Sequence, residues 1–277
     1  MSFAEMSDWL GSAKLQFGCS AFLPDHVDTI NLTPPQRELL ASIPDEAFRQ
    51  TVRDFCVNQQ FRRDYWVKGA RRLPLAEQVE AIRKLHVQLV TPRADVPTKV
   101  NGPLGEVEMA PAVYGPILDQ LGDHRPYPIG ALESRLKEQR VTLPMLVQAM
   151  LVLAGHGHIA PVLEQAQAEA RASQSQALNQ ALLAKASTGS DITFLGSPLV
   201  AGGVAVGQLQ QLFAHAVAQG RDKPEEWAEL AWRSLRAQGR GGKPGEQDEE
   251  ARRAQLRTHA LNFQQKQLPV LKSLRVL

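Results

Sequence analysis

Phe61-Arg62-Arg63-Asp64-Tyr65-Trp66-Val67-Lys68-Gly69-Ala70-Arg71-Arg72 places five cations and three aromatic residues within twelve positions. Its reading decides how the first third of the chain folds. Read as the end of a helix, the block turns its aromatic residues inward. Its cations then lie near the helix C-terminus, where the dipole favours positive charge. Read as a surface, it is a docking site for an acidic partner or a nucleic-acid patch with stacking aromatics. The partner-contact candidates are Arg62, Arg63, Tyr65, Trp66 and Lys68.

Upstream, Thr33 to Arg72 reads as helical. Pro34, Pro35 and Pro44 suit first turns, and Asp45 and Glu46 favour the dipole of the restarted helix. Phe48, Val52, Phe55 and Cys56 recur at i, i+4, i+7 and i+8, which predicts a face that packs inward. Before it, Phe3, Met6, Trp9 and Leu10 give a short amphipathic helix, and Lys14 to Ala21 a short strand. That pair has no evident partner and needs a sheet to join.

Downstream, Gly69 and Pro74 close the block, and a helix follows over Leu75 to Leu85. His86 to Thr91 reads as a strand. Thr98 to Asn101 and Glu106 to Met109 flank Gly102-Pro103-Leu104-Gly105 as a hairpin. Three helices come next: Ala112 to Leu121, Pro128 to Glu138, and one capped by Thr142 that runs to Gly155. The strand His158 to Val162 then completes the element order of a winged-helix-like module. Residues 165–180 are rich in Ala, Gln and Ser and predict an exposed helical connector. The remainder predicts a strand at Ile192 to Leu195 and helices at Leu209 to Val217, Glu225 to Leu235 and Glu249 to Gln267. Residues 238–250 predict a mobile loop. The fold class is mainly α with small β elements, an α+β chain: a helical region, a winged-helix-like module and a helical C-terminal domain.

The composition narrows the function classes. The chain has 277 residues, 31 Lys plus Arg against 29 Asp plus Glu, and a formal charge of +2. That near-balance argues against general polyanion binding. The hydrophobic fraction of 43% is that of a globular protein and excludes disorder. Two cysteines, Cys19 and Cys56, cannot make a disulfide scaffold and fit a reducing compartment. No apolar run approaches the roughly 20 residues of a membrane helix, and residues 1–10 lack a signal core. The chain therefore reads as cytoplasmic, neither secreted nor membrane-spanning.

Chemistry-bearing motifs are scarce. Val200 to Gly207 holds glycines, but no strand feeds into them with the spacing of a phosphate cradle. It reads as a tight turn before a helix. Gly242-Lys243-Pro244 is not the Gly-Lys-Ser/Thr of a P-loop, and proline there blocks the helix that loop must open. His156 and His158 share one face of a strand, but metal binding needs further ligands and none is near in sequence. Ser197 lacks a nucleophile elbow, and no carboxylate pair stands out. No catalytic, cofactor-binding or metal-ligating residue is therefore assigned.

Several motifs together resemble the regulatory region of a bacterial class I S-adenosylmethionine-dependent methyltransferase family. They are Asn31-Leu32-Thr33-Pro34, Thr51-Val52-Arg53-Asp54-Phe55, Asn58-Gln59-Gln60-Phe61-Arg62-Arg63-Asp64, Leu89-Val90-Thr91-Pro92-Arg93, Gly102-Pro103-Leu104-Gly105-Glu106, Tyr114-Gly115-Pro116-Ile117-Leu118 and the closing Leu268 to Leu274. The family is similar to bacterial protein-lysine methyltransferases that modify surface proteins. The resemblance implies a Rossmann-like catalytic domain that precedes the regulatory and C-terminal domains and binds S-adenosylmethionine. This chain has no counterpart of that domain's glycine loop, so none of its catalytic or cofactor residues can be carried over. The implied organisation is 1–31 as the end of a missing catalytic domain, 32–164 as the regulatory domain with its winged-helix-like module, 165–180 as the connector and 181–277 as the C-terminal helical domain. The expected chain is the remainder of a split or truncated gene.

Three functions follow from these readings. The first is a non-catalytic regulatory or substrate-recognition part of a protein methyltransferase. It is inactive alone, and its partner is a catalytic domain or a protein substrate, not nucleic acid or membrane. The second is a winged-helix nucleic-acid-binding module using Arg62, Arg63, Lys68, Arg71 and Arg72. Against it, Leu143 to Ala154 carries no Lys or Arg for a groove. The third is an active methyltransferase, for which no cofactor cradle is visible.

Overall fold

The computed structural model describes residues 1–200, 202–240 and 248–277. The fold is mixed α+β, mainly helical, with small antiparallel sheets. It divides into two compact units. One comprises residues 1–85, 95–121 and 127–159; the other comprises 86–94, 122–126 and 160–277.

The first unit opens with α1 (Phe3–Gly11), whose Ser2 and Glu5 form a reciprocal capping box. Strand β1 (Leu15–Ser20) follows, and a tight segment Leu23–His26 leads to α2 (Pro34–Ser42) and α3 (Glu46–Cys56). Asp45 caps α3 by accepting the Phe48 N–H at 2.7 Å. Then comes β2 (Asp64–Lys68), antiparallel to β1, with Leu15 opposite Lys68 and Ser20 opposite Asp64.

This ribbon corrects two sequence expectations. Asp64–Lys68 is a strand, not a helix end. Tyr65 and Val67 stand exposed while Trp66 turns inward, the two-residue alternation of a pleat. Residues 2–21, which seemed to lack a partner, find one inside the chain. The β1 strand pairs with β2, and Phe3 is 4% exposed.

Helix α4 (Leu75–Lys84) is tied to the helix carrying Glu133 by Arg83, whose Nε and Nη2 reach the Glu133 carboxylate at 2.8 and 3.1 Å. The hairpin β3 (Lys99–Gly102) and β4 (Gly105–Glu108) appears where the local turn residues placed it. The helices α5 (Pro111–Gln120), α6 (Ile129–Arg135) and α7 (Leu143–Gly155) carry this unit's apolar core: Ile117, Leu121, Leu132, Leu146 and Leu153 are fully buried. Two glycines are set by close approach. A Cβ on Gly155 would collide with the Pro24 ring, and one on Gly102 would strike the Ile30 carbonyl. Buried Asn31 fastens the same corner, donating to the carbonyls of Pro24 and Val27 at 2.7 and 2.9 Å.

The second unit is a helical assembly: α8 (Gln165–Glu169), α9 (Ala172–Lys185), the hairpin β5 (Phe194–Gly196) and β6 (Gly203–Ala205), α10 (Gln208–Ala218), α11 (Pro224–Ala237), α12 (Asp248–Asn262), a π-turn over Phe263–Gln267 and α13 (Leu268–Ser273). Phe213, Trp227 and Phe263 meet at its centre, with ring centroids 5.6 and 5.9 Å apart. Residues 165–180, read as an exposed connector, lie within this unit. The α9 helix runs on to Lys185, and its Asn179, 2% exposed, donates to the carbonyls of Gly196 and Val276. Of the loop expected at 238–250, positions 241–247 lie outside the described residues, while α11 ends at Ala237 and α12 starts at Asp248. Segment 86–94 is held here by Gln88, which donates to the His124 carbonyl and to Ser273 Oγ.

Candidate functional site

The site grows from the side chains under the β1–β2 ribbon. Pleat alternation sends Phe17 and Trp66 to the same face, where Phe3 of α1 lies between them. Phe3 stacks on Trp66 at 5.6 Å and meets Phe17 edge-on at 4.9 Å. The Arg62 guanidinium sits 4.4 Å above the Phe3 ring centre.

Arg62 is also the hub of a polar network. Its Nη1 donates to Asp54 Oδ1 at 2.6 Å, its Nε and Nη2 to the two Asp64 oxygens at 2.7 and 3.2 Å, and its Nη2 to Gln50 Oε1 at 3.1 Å. The three ionic side chains are 20%, 20% and 7% exposed for Arg62, Asp54 and Asp64. A guanidinium suits this place because its planar fork serves several carboxylate oxygens at once. Burial pushes the Asp54 carboxyl above its ordinary value and outweighs the attraction of Arg62. Burial also disfavours the Arg62 charge, but the Asp64 hydrogen bonds and the two carboxylate charges more than offset it. Its pKa stands raised and it stays charged.

Helix α3 faces this network with its polar side. Gln50 and Asp54 reach Arg62, Thr51 Oγ1 accepts the Ala4 N–H at 3.1 Å, and Arg53 donates to the Asp25 carbonyl. The face that periodicity marked for burial is only partly covered: Phe48 is 55% exposed and Phe55 82%, while Val52 and Cys56 are half-buried. No residue of α3 is fully buried. Trp9, Phe61 and Tyr65 are likewise exposed.

Two hollows flank the network. One, of about 190 Å³, lies among β1, His26 and the polar side of α3. Its polar groups largely serve each other: Ser20 Oγ donates to Asp25 at 2.6 Å, and a His26 ring nitrogen lies 2.9 Å from the Ser20 carbonyl. The other, about 640 Å³, opens between α1 and the 59–66 segment, lined by Met6, Leu10, Phe61 and Trp66 with Arg62 and Arg63.

The sequence candidates thus separate. Arg62 and Trp66 are engaged inside the layer, so Arg62 is not a free docking cation. Arg63, Tyr65 and Lys68 are exposed on the ribbon. Arg71 and Arg72 make only long, exposed pairs, to Glu77 at 3.5 Å and Glu46 at 4.0 Å. Asp54 and Gln50 were not singled out from the sequence, and Phe3 was named only as part of a short amphipathic helix. No spacing rule joins residues 3, 17, 54 and 62, which the sequence places in four separate stretches. Among the described residues, no three His, Cys, Asp or Glu side chains are grouped to hold a metal, and no helix is long and apolar enough to cross a membrane. The stretch read as a tight turn before a helix contains strand β6, which holds Gly203, and Gly207 then stands at the N-cap of α10.

Residues 1–68 match the family described as the predicted methyltransferase regulatory domain. That stretch is similar to a methyltransferase regulatory domain. The match encloses the whole ribbon, both ends of the Arg62 network and α3. Over 278 aligned residues the chain is 35% identical to an uncharacterized protein, sll1526, of Synechocystis sp.. The alignment takes in 99% of this chain and 54% of that protein, so the chain spans about half the length of the curated relative it matches. Among solved structures it resembles PKMT2 of Rickettsia typhi in complex with AdoHcy, with TM-score 0.57 and 11% identity, covering 100% of this chain and 58% of the other. That likeness speaks for a shared fold. The winged-helix nucleic-acid alternative gains no support. Helix α7 carries no Lys or Arg, and its Leu146, Ala149, Met150, Val152 and Leu153 are buried. Arg62, its first proposed phosphate contact, is committed to two carboxylates.

Proposed function

We propose that the chain is the regulatory and substrate-recognition part of an S-adenosylmethionine-dependent protein methyltransferase. It acts with a catalytic domain that holds the cofactor, and it is not active alone. The observation that carries this reading is the inverted layer inside the regulatory-domain match. Carboxylates and a guanidinium lie within it, while Phe48, Phe55, Phe61 and Tyr65 face outward. Burying aromatic surface is worth about 25 cal/mol per Å², so a layer that leaves four such rings in water is suited to a partner. The partner is a methyltransferase catalytic domain, with Arg63, Tyr65 and Lys68 at the contact. The two free cysteines agree with a cytoplasmic setting.

The test uses the full-length Synechocystis relative. Labelled S-adenosylmethionine and cell extract as acceptor give a rate of methyl transfer to protein, and calorimetry gives the cofactor affinity. Serine at the positions aligned with Phe55, Phe61 and Tyr65 should lower transfer on the order of tenfold and leave cofactor affinity unchanged. Absence of both cofactor binding and transfer in the unaltered relative would remove the methyltransferase reading. Unchanged transfer in the variant would remove the aromatic surface from it.

A further inference from the structure

We propose that the hollow between α11 and α12 binds a small zwitterion, a free α-amino acid. Trp232 and Arg253 take its carboxylate, and Glu225 and Glu229 take its ammonium. The site lies within the second unit, outside the 1–68 match, so the inference stands independently of the regulatory reading.

The hollow measures about 330 Å³ and is lined by Glu225, Ala228, Glu229 and Trp232 of α11 and by Arg253 and Arg257 of α12. Small-molecule sites span roughly 300–1,000 Å³, so this one suits a compact ligand. Two donors in its lining are unspent. Trp232 is 4% exposed, and its buried Nε1–H has no hydrogen-bond partner among the described residues. Arg253 Nε is buried without a partner in the same way. Trp227 on the same helix shows the ordinary arrangement, with its Nε1–H donating to the Arg221 carbonyl at 2.8 Å. Buried donors are nearly always paired, so an oxygen acceptor is what this hollow calls for. The two donors belong to one cluster, because the Arg253 guanidinium lies 5.3 Å from the Trp232 ring centre. Its outer nitrogens are engaged, Nη1 with Glu229 at 3.8 Å and Nη2 with Glu249 at 3.2 Å, which leaves Nε for a ligand.

Charge then selects the ligand. Glu225 and Glu229 balance Arg253 and Arg257 around the hollow, so the lining carries no formal charge. A dianion such as phosphate would meet two carboxylates, and a cation alone would leave both donors unpaired. A carboxylate is acceptor-only and brings two oxygens to two donors. Glu225 makes no ion pair with any described residue and can receive an ammonium. A net-neutral molecule with both groups satisfies every one of these side chains.

Proton–nitrogen NMR of the indole N–H groups tests this on the whole chain, with L-alanine, acetate and ethylammonium as probes. The resonance lost in Trp232→Phe identifies Trp232. L-Alanine at up to about 50 mM should move that resonance downfield as the N–H gains an acceptor, and each single-charge probe should bind about tenfold more weakly. Trp232→Phe keeps the ring and removes the donor. Alanine affinity, read from the backbone amides of α11, should fall about tenfold. The melting temperature should not fall, because the lost N–H had no partner. Glu225 is exposed, so Glu225→Gln spares the core. It should weaken alanine binding by a similar factor and leave acetate binding no weaker. A Trp232 resonance that does not move would mean that the hollow holds water alone, and would overturn the site. Equal binding of acetate and alanine, or no effect of Glu225→Gln, would overturn the zwitterion.

Discussion

The Phe213–Trp227–Phe263 centre and the Arg62 layer each gather three aromatic rings, yet they are built in opposite senses. In the first, the rings are the interior. Phe213, Trp227 and Phe263 are each 1–2% exposed, and the one polar atom among them, Trp227 Nε1, donates to the Arg221 carbonyl at 2.8 Å. In the second, three rings cover a half-buried ion network while Phe48, Phe55, Phe61 and Tyr65 face water. The first arrangement is complete as it stands. The second keeps its own polar groups satisfied and presents apolar surface outward, which is how an interface is built.

That contrast can be broken at the centre first. Trp227→Ala should cost about 3–5 kcal/mol, since it removes a fully buried ring and leaves a cavity and an unpaired carbonyl. Denaturant unfolding reads this directly, and a loss below about 1 kcal/mol would deny the ring its place in the core. Arg62→Ala comes next. It strands two carboxylates in a half-buried site, and a loss of about 2–4 kcal/mol is expected. Adding Asp54→Asn to it should recover part of that loss, because the two positions share one network. Strict additivity in the double-mutant cycle would show the ion pair to be incidental.

The smallest effect concerns pH. The folded carboxyl of Asp54 titrates above its ordinary value of 3.8. The folded state therefore takes up this proton more readily than the unfolded chain. The associated stability is fully present below the ordinary value and is lost as pH rises through the raised one. Comparing unfolding free energies of the parent and Asp54→Asn across that interval should show the parent weakening more steeply as pH rises. Parallel curves would contradict the assignment.

The same contrast explains what could be read from the sequence. The C-terminal helices were legible almost to the residue: Leu209 to Val217 is found as Gln208–Ala218, and Glu225 to Leu235 as Pro224–Ala237. There the apolar face packs inward on neighbours from the same unit, so periodicity and burial agree. The hairpin around Gly102 to Gly105 was legible because its turn is local. Helix α3 was found, but its apolar face was assigned to the core. Periodicity says that a face needs covering, not what covers it. Strand β2 was missed because it is five residues long, lies inside a cation-rich block and is paired with a strand about fifty positions earlier. The Arg62 network was illegible for the same reason. Its members are brought together only by that pairing.

The most direct test of the inverted layer replaces its outward aromatics together. The variant Phe48→Ser, Phe55→Ser, Phe61→Ser, Tyr65→Ser of this chain is compared with the parent by thermal unfolding. Surface substitutions each change stability by less than about 0.5 kcal/mol. The melting temperature should therefore stay within about 8 °C of the parent, at 2–4 °C per kcal/mol for a chain of this size. A fall of more than about 10 °C would mean that these rings are core, and would contradict the claim that this layer turns them outward.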